Sequence, residues 1–217
     1  MLSNHIFTTD KTDVQPPSNC GPTVFFSDAE ARQLVYQTYG MVDVAGVEMA
    51  DLFRYAVIYK FGGVYLDVDV ACVLSANQWL SEYRISYNPD LVVGVEFYTP
   101  LQFVQWAFLG SAQSTVMLHV LHYIRKYRLP LFSPGADPVQ RTGPVAFTAG
   151  VVDYIKSMCK PRHLHISDII PTHFRCEDNN TIVVLPYRAF GTPGYHPPEV
   201  RTTGQVLLRH RFRGSWK

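Results

Sequence analysis

An α/β domain with a mostly parallel central sheet is what this sequence predicts, on three observations. Short apolar runs rich in Val, Phe and Tyr alternate with longer runs of helical spacing, the pattern of a sheet covered by helices. The chain has 217 residues, 47% of them hydrophobic and 17% charged, which is enough apolar material for one packed core. The stretch 50–69 joins an amphipathic helical run to a Gly-Gly turn and then to a short strand that delivers two carboxylates.

The elements follow in order. Residues 1–22 are polar and carry Pro16, Pro17 and Gly21, which predicts an extended N-terminal segment ahead of a domain spanning 23–217. Residues 23–26 are β-prone. Ser27 or Asp28 caps a helix through 33–39, with Glu30 in its first turn. Residues 47–59 have apolar side chains at helical spacing, and Gly62-Gly63 ends that helix. Residues 64–66 form a strand, and 91–95 a second one ending at Glu96. Residues 101–109 and 115–126 read as helices, as do 145–158 after Thr142-Gly143-Pro144. Residues 181–185 are a strand and 206–208 a last one, with a Gly/Pro-rich loop at 190–198 between them. There are no repeats or low-complexity tracts.

Composition removes several function classes. A formal net charge of +1 gives no bulk electrostatic reason to bind nucleic acid. No apolar run is long enough to span a membrane, and the N-terminal MLSNHIFTTDKTD lacks the apolar core of a signal peptide. Basic residues gather at the C-terminus (Arg209, Arg211, Arg213, Lys217), as a solvated tail or an anion-contacting one. Cys20, Cys72, Cys159 and Cys176 show no metal-ligand spacing and read as buried or free thiols; spacing alone leaves a disulfide open. Asn179-Asn180-Thr181 fits the acceptor sequon for N-glycosylation, a short match that arises often by chance.

The chemistry concentrates at Asp67 and Asp69. Residues i and i+2 of a strand share a face, so both carboxylates are expected to point the same way. Their repulsion is relieved by a proton or a cation, and hard divalent ions such as Mg²⁺ and Mn²⁺ favour carboxylate and phosphate oxygens. Taken alone, a D-x-D pair is more often a solvated surface pair. Upstream, Asp51 and Arg54 stand at i and i+3 of the helix, as a local ion pair or as a polar clamp facing the same cleft. Gly62-Gly63 lets the backbone turn tightly and approach a ligand. Glu96 faces either the cleft or solvent. Tyr55, Tyr59 and Tyr65 read as core-lining. His163, His165 and His173 have no clear metal spacing. By themselves, His210 reads as an ordinary histidine and Trp216 as a packing residue.

In context the pattern A-D-x-x-R-Y-x-x-x-Y-x-x-G-G-x-Y-x-D-x-D resembles the DXD-containing, sugar-binding glycosyltransferases of family 32, which include fungal initiating α-1,6-mannosyltransferases and inositol-phosphoceramide mannosyltransferases. Thr142-Gly143-Pro144 with Thr148 is similar to the family's T-G-P segment, and residues 210–216 to its closing H-x-x-x-G-S-W. The resemblance implies a GT-A-like nucleotide-sugar-binding domain and a retaining transfer dependent on Mn²⁺ or Mg²⁺. It implies that Asp69 ligates the metal, that Asp67 contacts metal and donor ribose, and that His210 is a further ligand. Asp51 and Arg54 would hold hydroxyls of the transferred sugar. Gly62 and Gly63 would lie on the donor side, and Ser215 and Trp216 would close over the diphosphate as part of a C-terminal lid. The implied donor is GDP-mannose, with a UDP-hexose open, and the acceptor a glycan, lipid or protein. The family implies the Golgi or secretory pathway, although no anchor segment is read here.

One departure concerns the start. Family members begin this domain with an apolar strand, for which only His5-Ile6-Phe7 is available here, in stunted form. A non-catalytic sugar- or nucleotide-binding remnant is therefore one alternative. A haloacid-dehalogenase-type phosphohydrolase is another, since it also places D-x-D after an apolar strand. That class expects Thr or Val two residues after the second Asp, where this chain has Ala71, and no later acidic-pair motif follows.

Overall fold

Period-two alternation sorts the strand side chains onto two faces of one sheet. In the computed structural model, which describes residues 5–9, 20–40, 43–44, 46–128, 137–190 and 205–211, seven strands make that sheet. They are β1 (Ile6–Thr9), β2 (Thr23–Phe26), β3 (Gly63–Leu66), β5 (Leu91–Tyr98), β6 (Leu101–Gly110), β7 (Thr172–Arg175) and β8 (Thr181–Leu185), in the order β2-β1-β3-β6-β5-β8-β7. β1, β2, β3, β5 and β8 run one way; β6 and β7 run against them. The sheet is thus mostly parallel in strand direction. A separate two-stranded ribbon pairs β4 (Val70–Cys72) with β9 (Leu208–His210).

Tyr65, Ile182 and Val184 face a layer of helices, while Val64, Leu66, Val183 and Leu185 face the opposite side. The helical layer comprises α1 (Asp28–Tyr39), α2 (Gly46–Phe61), α4 (Thr115–Tyr123) and α6 (Pro144–Tyr154). On the other face, Trp79 of α3 (Trp79–Glu82), Phe190 of α7 (Tyr187–Phe190), Leu207 and Leu208 cover the sheet. Among the described residues no helix is long and apolar enough to cross a membrane.

Local chemistry sets the element ends. Ser27 caps α1 in a reciprocal box: its hydroxyl accepts from the Glu30 N–H, and Glu30 Oε2 accepts from the Ser27 N–H at 2.9 Å. Such a cap stabilises a helix by about 1 kcal/mol. α2 stops where Gly62 turns left-handed (φ 64°) and its N–H donates to the Ile58 carbonyl at 2.8 Å. A Cβ at Gly62 would lie 2.5 Å from the Ala112 nitrogen, so glycine is demanded by the turn and by its neighbour's backbone.

Four sequence expectations change. Residues 101–109 are a strand, not a helix. The run is apolar on both faces, so its spacing fits either state; the hairpin with β5 and burial between two layers decide for strand. Ile6–Thr9, inside the expected extended N-terminal segment, is an interior strand pairing with β2 and β3. The cysteines are not free thiols: Cys20 bonds Cys72, and Cys159 bonds Cys176. The last strand is Leu208–His210 and belongs to the ribbon rather than the main sheet. Strands β4 and β7 have no counterpart in the sequence reading, both being three or four residues long.

Candidate active site

Helix α2 is buried along most of its length, including the charged side chains Glu48, Asp51 and Arg54. Buried charges need partners, and these come from three other elements. Asp51 Oδ1 lies 3.3 Å from an Arg54 terminal nitrogen and accepts from Gln105 Nε2 of β6 at 3.2 Å. Asp51 Oδ2 accepts from the Thr142 hydroxyl at 2.7 Å. The Tyr55 hydroxyl is placed to donate to Gln105 Oε1 (2.6 Å) or the Thr142 carbonyl (2.8 Å), tying both partners to the same helix. Burial pushes the Asp51 carboxyl up to about 6, against the opposing pull of Arg54 and the Thr142 and Gln105 hydrogen bonds. Beside this cluster, Arg141 Nε and Glu48 Oε1 form a 3.0 Å ion pair that holds α5 (Pro138–Arg141) against α2.

Arg54 also reaches toward the second cluster, with its nitrogen 3.5 Å from Asp67 Oδ1 and its guanidinium carbon 5.2 Å from the centre of the Tyr65 ring. Burial pulls the guanidinium down, but Asp67, Tyr65 and Asp51 together hold it above its usual range. The Tyr65 hydroxyl donates to Asp67 Oδ1 at 2.7 Å. Burial first, then Asp67, raises that hydroxyl well above a free tyrosine, so it stays a donor. Arg54 Nε is buried and has no hydrogen-bond partner among the described residues.

Asp67 and Asp69 do converge, though not as neighbours on a strand. β3 ends at Leu66, and the chain turns so that the Val70 N–H donates to the Asp67 carbonyl at 3.1 Å. The Asp67 N–H is fixed by the Trp106 carbonyl at 2.9 Å. The ribbon then brings in His210 opposite Val70, and the Arg211 N–H donates to the Asp69 carbonyl at 3.0 Å. His210 Nε2 lies 3.1 Å from Asp69 Oδ1, with the imidazole packed on the Trp106 ring at a 4.6 Å centroid distance. One donor atom each from Asp67, Asp69 and His210 lies within 4.8 Å of the others. Two carboxylates and an imidazole suit Mn²⁺ or Mg²⁺, so the residues present fit a divalent ion.

Of the residues expected at the site, Asp51, Arg54, Asp67, Asp69 and His210 come together. Gly62 and Gly63 stand at the other end of β3, about 13 Å away along the strand, so the structure gives them a turn and not a place beside the carboxylates. Ser215, Trp216 and the rest of the expected lid beyond residue 211 lie outside the described residues. Glu96 is largely buried at the end of β5, accepts from Gln102 Nε2 at 2.8 Å, and is raised by that burial. Tyr55 and Tyr65 combine the core role read from sequence with hydroxyls that serve the site. Gln105 went unnoticed because 101–109 read as a helix. Thr142 was visible only as part of a motif.

The comparisons with known proteins cover part of this site by residue. Residues 8–86 match the family model described as "Glycosyltransferase sugar-binding region containing DXD motif". The chain is 26% identical to the initiation-specific alpha-1,6-mannosyltransferase of Schizosaccharomyces pombe, over 88% of this chain and 52% of that protein. It is 24% identical to the Candida albicans protein of the same name, over 88% of this chain and 61% of that one. The chain therefore spans between half and two thirds of the length of these curated relatives. Among solved structures, "PaToxG Glycosyltransferase" aligns with a TM-score of 0.47 at 10% identity, over 71% of this chain and 70% of that one. The matched segment contains Asp51, Arg54, Asp67 and Asp69, and the mannosyltransferase similarity runs well beyond it, so over these residues the chain is similar to the DXD-containing, sugar-binding glycosyltransferases.

Proposed function

We propose that this chain carries the catalytic core of a metal-dependent, retaining glycosyltransferase. It moves a hexose, with mannose favoured, from a nucleotide-diphosphate sugar to a hydroxyl of a glycan, lipid or protein. The observation that carries this reading is Arg54, which spans Asp51 and Asp67 and so joins a buried polar cluster to a three-ligand cation site. A sugar needs the first cluster and a diphosphate the second. β1 and residues 23–217 would form one catalytic unit, and the names of the fungal relatives favour GDP-mannose over a UDP-hexose.

In this reading Asp51 accepts hydrogen bonds from hydroxyls of the donor sugar and Arg54 donates to them. Thr142, Gln105 and Tyr55 hold Asp51 in one rotamer, which lowers the cost of ordering it when donor binds. Asp67, Asp69 and His210 would hold Mn²⁺ or Mg²⁺. The bound ion would supply a positive centre for the charge that builds on the departing diphosphate. The sugar C1–oxygen bond to phosphate breaks as a bond from C1 to the acceptor oxygen forms on the same face. The acceptor proton passes to the leaving phosphate oxygen. No covalent nucleophile is assigned. The match of residues 8–86 to the DXD sugar-binding model favours this reading over the dehalogenase-type one.

The test is nucleotide diphosphate release from GDP-mannose and from UDP-hexoses, with Mn²⁺ and with chelator. Mn²⁺-dependent GDP release from GDP-mannose, increased by an acceptor, is the expected result. Donor binding without turnover under all conditions would select the non-catalytic binding remnant.

A further inference from the structure

We propose that Asn179 is a glycosylated residue of this protein, bearing an N-linked oligosaccharide, independently of the reaction the protein itself performs. The sequon Asn179-Asn180-Thr181 occupies the tip of the hairpin between β7 and β8. Asn179 is exposed and sits in the left-handed region (φ 65°), a conformation asparagine tolerates in a turn. Its N–H donates to the Cys176 carbonyl at 3.0 Å, and the Cys176 N–H donates to the Asn180 carbonyl at 3.0 Å, so the turn is closed by backbone bonds. Asn180 is held by the chain, with Nδ2 2.8 Å from the Tyr154 hydroxyl and 2.6 Å from Asp178 Oδ2. The turn therefore ties the middle residue of the sequon to the chain and leaves the acceptor residue exposed.

A second observation bears on the compartment. All four cysteines are paired, one pair being Cys159–Cys176, whose Cys176 opens the turn that carries the sequon. Disulfides persist in oxidising compartments and are rare in the cytosol, and sequons are modified in the same secretory environment. A third observation concerns placement. Asp67 follows the C-terminal end of β3, whereas Asn179 precedes the N-terminal end of β8, and β3, β5 and β8 run in the same direction. A glycan at Asn179 thus leaves the sheet at the end away from the carboxylates.

The modifying step needs a polyprenyl-diphosphate-linked oligosaccharide and the transferase that uses it. The Asn179 amide nitrogen forms a bond to the sugar anomeric carbon and gives its proton to a base of that transferase. The carbon–oxygen bond to the diphosphate breaks, and the diphosphate departs with the electron pair.

The experiment expresses the full chain behind a cleavable leader in a eukaryotic secretory host, as wild type, Asn179→Gln, Thr181→Ala and Thr181→Ser. Glycan is removed with peptide N-glycosidase in heavy-oxygen water, and the tryptic peptides are analysed by mass spectrometry. Wild type and Thr181→Ser should lose mass on digestion and carry heavy oxygen at position 179; the other two variants should not. Wild-type protein with both disulfides formed but unmodified Asn179 would overturn the proposal. So would finding these cysteines reduced in that compartment. The wild-type peptide decides the matter in the secreted or the retained pool, so a variant that fails to fold does not obscure the result.

Discussion

The Tyr65 hydroxyl donates to Asp67 Oδ1 at 2.7 Å, the same oxygen that Arg54 approaches at 3.5 Å. One oxygen of this carboxylate is thus set by the protein, and that fixes the direction of the other. Groups that orient a metal ligand typically contribute 10–100-fold to affinity. Tyr65→Phe should weaken Mn²⁺ binding about 10-fold or more by calorimetry, at a cost of about 1 kcal/mol in stability from one lost hydrogen bond. Unchanged Mn²⁺ affinity in a folded Tyr65→Phe variant would count against Asp67 as a ligand.

Removing a ligand should do more. Asp69→Asn is expected to lose over about 100-fold in Mn²⁺ affinity and in nucleotide diphosphate release. The Arg211 N–H bonds the Asp69 backbone carbonyl, which the substitution leaves in place. The amide oxygen of the variant can still accept from His210 Nε2, so the metal-free variant should unfold within about 3 kcal/mol of metal-free wild type, the range for weakening one buried polar contact. Full Mn²⁺-dependent turnover by this variant would remove Asp69 from the metal site.

Arg54 compensates two carboxylates, and one of them, Asp51, is almost wholly buried. Arg54→Leu should destabilise the fold by about 3–5 kcal/mol, because breaking a buried pair from one side strands the remaining charge. Adding Asp51→Asn to Arg54→Leu should recover part of that loss, so urea denaturation of the double-mutant cycle should be non-additive. Strict additivity would mean that the two side chains do not interact as described.

The titration of Asp51 has a definite sign. Its carboxyl titrates near 6 when folded against 3.8 as a free side chain, so between these values the folded state holds the extra proton. Stability from this group is therefore greatest at the acid end and falls as pH rises through about 4 to 6, by up to about 3 kcal/mol. Denaturation of metal-free wild type and Asp51→Asn across this window should show the decline in the difference between them. A difference that stays flat, or that grows with pH, would contradict the buried carboxyl. Donor turnover should fall below about pH 6 as Asp51 gains its proton and loses acceptor capacity.

The residues that could be read from sequence are those whose neighbours along the chain define them. Asp51, Arg54 and the helix carrying them follow from spacing, and its end follows from Gly62. Asp67 and Asp69 were visible as a pair, but the reason given for their convergence was wrong, since a turn and not a strand aligns them. Gln105 was hidden because a strand buried on both faces shows no period-two signature. The Cys20–Cys72 bond joins positions 52 residues apart, and no local pattern encodes such a pairing. His210 was identified by its motif, whereas its placement against Asp69 depends on β4–β9 pairing, which only the fold supplies.

That ribbon has a consequence for biogenesis. Strands β4 and β9 are separated by roughly 140 residues of intervening chain, and joining such distant segments costs loop-closure entropy before any contact rewards it. During synthesis, the turn bearing Asp67 and Asp69 leaves the ribosome long before His210. A nascent chain can complete the helix and β3 early but must wait for β9 to bring His210 to Asp67 and Asp69. The candidate cation site is thus completed after the rest of its cleft, only in molecules where β9 has found β4.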